Sequence, residues 1–345
     1  MARKTYERAC AALTQQASKA IRGMAIVMLG LAALPALAAN PAHAESFPSR
    51  SITLVIPYPP GGNVDVSARI LQHAIGTSLG QSLIVENRPG GAGFIAGNFV
   101  ARSRPDGYTL FVGSNGPILL GPLISEHPLY HWQDAFLPIS SLSIAPTLML
   151  VRKDFPAKSV KEFIAYARKN PNKVTVGYGG VGSINNLVSV MMQQVTGAKW
   201  LGVNFRGNAP LMNNLIGAHV DAAFIQPVDA LPHVQSGEVR VLAVIADKRM
   251  EKLPDVPTMA EAGFPKVTGL TFNGLFAPKG TPRPVIDKLS KTIQAALKKP
   301  EAIEAFAKLG SQAHGSTPEE FTKFMKEQTA IWSEVVKKAN IHIQN

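Results

Sequence analysis

Between Ser51 and Asp65 the chain reads S-I-T-L-V-I-P-Y-P-P-G-G-N-V-D, an order of residues that few folds can use. Ile52, Leu54 and Ile56, with Val55 among them, form a short apolar run rich in β-branched residues, suited to a strand buried on both faces of a parallel sheet. Pro57, Pro59, Pro60, Gly61 and Gly62 then stop any strand. Directly afterwards Ala68, Leu71, Ile75 and Leu79 recur at helical spacing, with Asn63 and Asp65 as capping candidates. The stretch predicts a strand, a stiff glycine-tipped loop, and a helix starting at the strand's carboxyl end. Backbone N–H groups at such a start lack intrahelical partners, and with the helix dipole they favour an anion. An ordinary βα turn fits the same pattern, so the choice falls to the rest of the chain.

At 345 residues and 46% hydrophobic content, the chain is large enough for two cores. Arg3, Lys4, Arg8, Lys19 and Arg22 precede an uncharged apolar run, Met24 to Ala39, and Ala42-His43-Ala44 fits a small-x-small cleavage site. Residues 1–44 therefore read as a secretory signal peptide cleaved after Ala44, with an uncleaved anchor as the alternative. The run is shorter than the roughly 20 residues of a membrane span. Cys10, the single cysteine, leaves with that leader, so the mature chain has no disulfide, thiolate metal site or thiol nucleophile. Beyond Ala44, 30 Lys and Arg face 22 Asp and Glu, a net of +8 against +12 for the whole chain. These charges are scattered, with no basic stripe interleaved with aromatics, which argues against nucleic acid. They support only a mild pull on anionic solutes.

The opening rhythm then repeats. A strand at Leu83–Val85 ends in E-N-R-P-G-G, a helix carries Phe94 to Ala101, and a strand at Tyr108–Val112 closes in the polar loop Gly113–Pro117. Leu142 to Val151, broken by Pro146, predicts a strand crossing into a second lobe. There a helix at 160–169 leads to a strand at Val174–Gly177, the loop Tyr178–Ser183, and a helix through Leu187, Val190, Met191 and Val195. Strands follow at Leu201–Phe205, ending in Arg206-Gly207-Asn208, at Val220–Ile225, ending in Gln226-Pro227-Val228-Asp229, and at Val239–Ala246. Thr271 to Ala277 brings the chain back, and helices close it at 284–297, at 302–309 and from about Pro318, where Thr317 and Glu320 have capping-box spacing. Alternation of this kind predicts an α/β fold of two lobes, each an open, mostly parallel sheet flanked by helices. Lobe I takes residues 45–147 and 271–345, and lobe II is the insert 148–270. Open α/β sheets bind ligands at the carboxyl ends of their strands, and two such edges face to face make a cleft that can close on a solute.

The chemistry the residues allow is narrow. Gly177-Tyr178-Gly179-Gly180-Val181-Gly182 fits G-x-G-x-x-G, yet no Asp or Glu between Ser183 and Val220 is present to hold a ribose. Ser114 lacks the G-x-S-x-G spacing of a nucleophile elbow. His127 and His131 are separated by Pro128, and no H-E-x-x-H occurs. No catalytic residue, metal or cofactor is therefore expected. The loops Tyr58–Asp65, Gly113–Pro117 and Gly179–Asn186 offer hydroxyls, amides, glycines and one acid, but no Lys or Arg. Such loops can hold a carboxylate through backbone N–H groups, Ser and Asn side chains and ordered water. Arg206 is the one basic residue in loops assigned to the cleft, and reads either as a partner for a second carboxylate or as a surface charge.

Several segments together carry a family likeness: P-Y-P-P-G-G-N-V-D (57–65), V-E-N-R-P-G-G-A-G (85–93), P-D-G-Y-T-L (105–110), A-L-P-H-V-Q-S-G (230–237) and L-P-D-V-P-T-M-A-E-A-G (253–263). In this order the chain, from about Phe47 to Ile341, resembles the Bug family, the TctC-like extracytoplasmic solute-binding proteins of tripartite tricarboxylate transporters. The resemblance implies a periplasmic, two-domain Venus-flytrap receptor, type II-like, that binds a small carboxylic acid and works with the transporter's membrane subunits; a monomer is the default expectation. It assigns ligand binding to Gly61, Gly62 and Asp65 with Tyr58 beside them, to Ser114 and Asn115, to Gly180, Gly182 and Ser183, and to Arg206; Asn63 and Gln226, in loops at the same strand ends, join them as ligand-binding candidates. Ile225-Gln226-Pro227-Val228 departs from the Asp-Ser-Leu-Pro-like stretch of many relatives, and Asn185-Asn186-Leu187 from their His-Leu. Both departures fall on the specificity side, so the ligand itself does not transfer. A ligand-sensing partner for a periplasmic sensor domain, and an exported enzyme using the loop 177–182, are the rival readings.

Overall fold

The first apolar run is used on both faces. In strand β1 (Ile52–Ile56), Ile52, Leu54 and Ile56 turn into one core and Val55 into another, and all four are fully buried. The computed structural model describes residues 47–205 and 207–342, apart from the side chain of Ala92; the expected leader and Arg206 lie outside the described residues. After β1 come helix α1 (Asn63–Leu79), β2 (Leu83–Asn87), α2 (Phe94–Ala101) and β3 (Thr109–Ser114). The long β4 (Phe136–Ala145) and β5 (Thr147–Arg152) flank Pro146, followed by α3 (Val160–Lys169), β6 (Thr175–Tyr178), α4 (Ile184–Thr196), β7 (Leu201–Asn204) and α5 (Asn208–Ile216). Then β8 (Ala222–Ile225), α6 (Pro227–Gln235) and β9 (Val239–Ile245) precede β10 (Thr271–Pro278), α7 (Arg283–Leu297), α8 (Pro300–Lys308), β11 (Gln312–Ala313) and α9 (Pro318–Ala339).

These strands make two sheets, ordered β11-β4-β10-β3-β1-β2 and β7-β6-β8-β5-β9. Pro146, with no N–H to give a ladder, sits between the last strand residue of one sheet and the first of the other. The two-lobe α/β architecture stands, but the sheets are mixed rather than mostly parallel. Pairings around β1 and β6 are parallel, whereas those of β10 with β3 and β4, of β11 with β4, and of β5 with β8 and β9 are antiparallel. The antiparallel pairings centre on β4, β5 and β10, the strands beside the two crossings between sheets, which enter without a βα crossover that would set them parallel.

Each sheet buries one face under its own helices. Leu54, Ile56, Leu110 and Val112 pack with Ala68, Leu71 and Ile75 of α1 and with Leu289 and Ile293 of α7. Leu148, Leu150, Ala223 and Ile225 pack with Leu211, Met212 and Leu215 of α5. A third core is shared: Phe111, Phe136, Phe272 and Phe276 join Phe321, Met325 and Trp332 of α9 and continue into Leu187, Met191 and Phe224. Helix α9 starts with the expected capping box of Thr317 and Glu320. It ends against the second sheet's helices, where Gln194 Nε2 donates to the Val335 carbonyl at 3.1 Å.

Two elements differ from sequence expectation. The polar stretch 113–117 is not a loop: β3 runs through Ser114, and a π-helical turn occupies Asn115–Leu120. Strand β4 starts at Phe136 rather than Leu142, because Pro138 falls at an irregularity in the pairing with β10 that asks for no ladder N–H.

Candidate ligand-binding cleft

The glycine loop after β1 is shaped from beneath by Asp65. Gly61 has φ +87°, a left-handed conformation that glycine adopts without strain, and its N–H donates to Asp65 Oδ2 at 2.9 Å. Asp65 is 2% exposed, and its carboxylate also accepts from Arg69 Nε at 2.9 Å, Arg69 Nη2 at 3.2 Å and Asn87 Nδ2 at 2.9 Å. Burial raises the Asp65 pKa, but the bonds from Arg69, Gly61 and Asn87 more than offset this and hold it below the ordinary range. Asn87 closes the arrangement by donating to the Tyr58 carbonyl at 3.0 Å. Asp65, expected among the ligand-binding residues, is thus consumed within the protein and acts by positioning the loop. What the loop presents is the start of α1. Its N-cap, Gly62, is exposed and has no side chain to cap the helix, so the first-turn N–H groups stay available.

Beside this start, Tyr58 Oη lies 3.4 Å from Ser114 Oγ at the end of β3. Burial pushes the Tyr58 phenol above its ordinary pKa, the Ser114 bond opposing, so it remains a neutral donor. Asn63 Oδ1 is 3.4 Å from both Ser67 Oγ and the buried Asn273 Nδ2. Asn115 is bonded within the protein. It is 3% exposed, its Nδ2 donates to the Leu270 carbonyl at 3.0 Å, and its Oδ1 accepts from the Phe272 N–H at 2.8 Å. Its side chain clamps the chain where it returns to the first sheet.

The segment after Ser114 also carries the contact with the other side. Gly182, at φ +72°, lies so close to Ile124 that a Cβ there would overlap the Ile124 Cδ1 atom. Ser183 caps α4 by accepting from the Asn186 N–H at 3.3 Å and donates to the Gly180 carbonyl at 2.7 Å; Asn186 Oδ1 accepts from the Gly182 N–H at 3.0 Å. The G-x-G-x-x-G stretch is therefore a tight cap. Its first glycine, Gly177, faces Leu211 within the strand, where a larger residue would collide.

Gln226 follows β8 as the N-cap of α6 and joins a ring of amides that the sequence did not disclose. Asn185 Nδ2 donates to Asn208 Oδ1 (3.1 Å), Asn208 Nδ2 to Gln226 Oε1 (2.9 Å), and Gln226 Nε2 to Asn185 Oδ1 (2.7 Å). Gln226 Nε2 also reaches Thr271 Oγ1 of β10 at 3.2 Å, and Asn208 Nδ2 reaches Asp229 Oδ2 at 2.7 Å. Burial raises the Asp229 pKa, the Asn208 bond opposing. These residues stand at the starts of α4, α5 and α6, following the carboxyl ends of β6, β7 and β8. The structure thus links Tyr58 with Ser114, places Ile124 against Gly182, and ties Gln226 to the return crossing. Arg206 remains outside the described residues.

Comparison with known proteins converges on one group. The sequence pattern of the tripartite tricarboxylate transporter family receptor, TctC, matches residues 67–341. Protein BugT of Bordetella pertussis is 31% identical over 326 residues, covering 94% of this chain and 98% of BugT. Among solved structures, R. palustris Rpa4515 with adipate is similar at TM-score 0.76 and 30% identity, over 87% of this chain and all of the other. MatC from Rhodopseudomonas palustris with bound malate is similar at TM-score 0.72 and 32% identity, over 84% of this chain and all of the other.

Proposed function

We propose that this chain, which belongs to the tripartite tricarboxylate transporter receptor (TctC) family, is a periplasmic receptor that closes over one small organic carboxylate between its two sheets and hands it to the transporter's membrane subunits. The observation that carries this reading is the uncapped start of α1, held open toward an anion by a loop whose only acid is already bonded to Arg69, Gly61 and Asn87. In this reading Gly62, Asn63 and the neutral Tyr58 and Ser114 hydroxyls meet the ligand carboxylate. Gly180, Gly182 and Ser183 approach from the other lobe, and Arg206 remains a candidate for a second acidic group. The similar structures that hold adipate and malate support a carboxylate as the ligand class. The lobes are taken as residues 45–147 with 271–345, and 148–270. Function is then a shift from open to closed, driven by contacts that exist only in the closed form.

The test is a ligand screen on the full chain, exported from a Gram-negative host and purified from the periplasm after stripping of carried-over ligand. A ligand at about 100 times its dissociation constant adds roughly 2.7 kcal/mol to the folded state. One class of carboxylate should raise the unfolding midpoint and be recovered unchanged. Turnover of the bound acid would favour the enzyme reading instead, and no shift from any carboxylate would sink the receptor reading. Mass spectrometry of the N-terminus reads cleavage after Ala44 in the same preparation.

A further inference from the structure

The amide ring has a direction, and Asp229 sets it. An ionised carboxylate only accepts, so Asn208 must turn its NH2 toward Asp229 Oδ2. Asn208 Oδ1 is then fixed as the acceptor for Asn185 Nδ2, which leaves Asn185 Oδ1 to accept from Gln226 Nε2, which leaves Gln226 Oε1 to accept from Asn208. Both hydrogens of Asn208 are taken by Gln226 and Asp229, and both hydrogens of Gln226 by Asn185 and Thr271. Only Asn185 keeps a spare N–H. Asp229 Oδ1, meanwhile, takes no bond from the described residues.

Three helices, α4, α5 and α6, begin at this ring. Their dipoles would suit an anion, but an anion is already resident, since Asp229 lies in the first turn of α6. A second carboxylate brought to the same place would meet a like charge, with no cation among the described residues bonded to Asp229 to offset it.

We propose that Asp229, acting through the Asn208–Asn185–Gln226 ring, makes this wall of the cleft acceptor-rich and so selects a monocarboxylate whose far end carries a hydrogen-bond donor, such as a hydroxyl, amide or ammonium group, over a plain dicarboxylate. This rests on the receptor reading and specifies its ligand class. Asp229 is here a positioning and selectivity residue, and the α1 loop remains the anchor for the carboxylate.

Calorimetry on the full exported chain with matched probes tests it. The four-carbon set is succinate, succinamate and 4-hydroxybutanoate; the six-carbon set is adipate and 6-hydroxyhexanoate. In each set the member with a far-end donor should bind at least tenfold more tightly than the dicarboxylate. Asp229→Asn, which can donate as well as accept, should shrink that ratio at least fivefold without lowering the unfolding midpoint, and Asp229→Glu should restore it. A merely structural role would change all affinities together and leave the ratio intact, which overturns the proposal. Tighter binding of succinate or adipate by the wild type also overturns it, and assigns the far carboxylate to a cation such as Arg206. If none of these probes binds while another carboxylate in the wider screen does, the selectivity inference fails and the receptor reading stands. Silence in both screens removes both.

Discussion

The two lobes each hold a buried or half-buried carboxylate at the start of a helix, and they treat it in opposite ways. Asp65, in the first turn of α1, is bonded to Arg69, Asn87 and the Gly61 N–H, so its charge is met inside the protein and the helix start is left for something else. Asp229, in the first turn of α6, has one neutral amide for company and no bonded cation among the described residues. Satisfying a charge internally makes a rigid general anchor, whereas leaving one unmet makes a discriminator. In the proposed receptor, the same residue type at the same helical position would serve affinity on one side and selectivity on the other.

The strongest way to break this comparison is Asp65→Ala. It removes the acceptor of the Gly61 N–H and of one Asn87 amide hydrogen, the other still donating to the Tyr58 carbonyl, and a buried polar group left without its partner costs about 1–3 kcal/mol. We expect a stability loss of roughly 2–3 kcal/mol by denaturant titration and at least about a hundredfold weaker carboxylate binding, equivalent to about 2.7 kcal/mol. Every ligand should suffer alike, since the anchor is common to all. Unchanged affinity in a folded variant would show that the loop does not hold the ligand.

Next in size is Gly182→Ala. The new Cβ meets Ile124 across the contact between the sides, and φ +72° costs an L-residue about 1–2 kcal/mol. Binding should weaken roughly tenfold, with the loss reversed in part by Ile124→Ala, which opens room. Gly61→Ala meets nothing within 4 Å and should show the backbone cost alone. Equal losses in the two variants would mean that closure does not bring Ile124 and Gly182 together.

The difference between these regions also marks how far the sequence could be read. The β1–loop–α1 unit was legible because its signals are local: a β-branched run, a block of Pro and Gly, and a helical period follow one another within 30 residues. Asn115 was not legible, because its partners are the backbone of Leu270 and Phe272, more than 150 residues away. A Gly-Ser-Asn-Gly-Pro string carries every mark of a surface turn until a distant backbone needs an amide. The ring of Asn185, Asn208 and Gln226 is drawn from three βα junctions, each polar for reasons that look local. Only their carboxyl-edge position, shared by all three parent strands, hinted that they meet.

The smallest effect is the most diagnostic, because the two carboxylates should respond to pH with opposite signs. The folded state lowers the Asp65 pKa, so its stabilisation is present above the ordinary carboxylate range and is lost as pH falls through the folded value. The folded state raises the Asp229 pKa, so the protein gains from its protonation at low pH and loses that gain as pH rises through the folded value. Asp229→Asn removes that loss. In the absence of ligand it should therefore lift the unfolding midpoint near neutral pH by on the order of 1 °C, and the lift should vanish once the medium is acid enough to protonate Asp229. Asp65→Asn should lower the midpoint near neutrality, and that deficit should shrink as the pH falls below the carboxylate range. Midpoints for both variants and the wild type across pH 3 to 8 give two difference curves of opposite sign. Curves of the same sign would mean that Asp229 is neutralised inside the protein as Asp65 is, and the charge contrast between the two sides of the cleft would be gone.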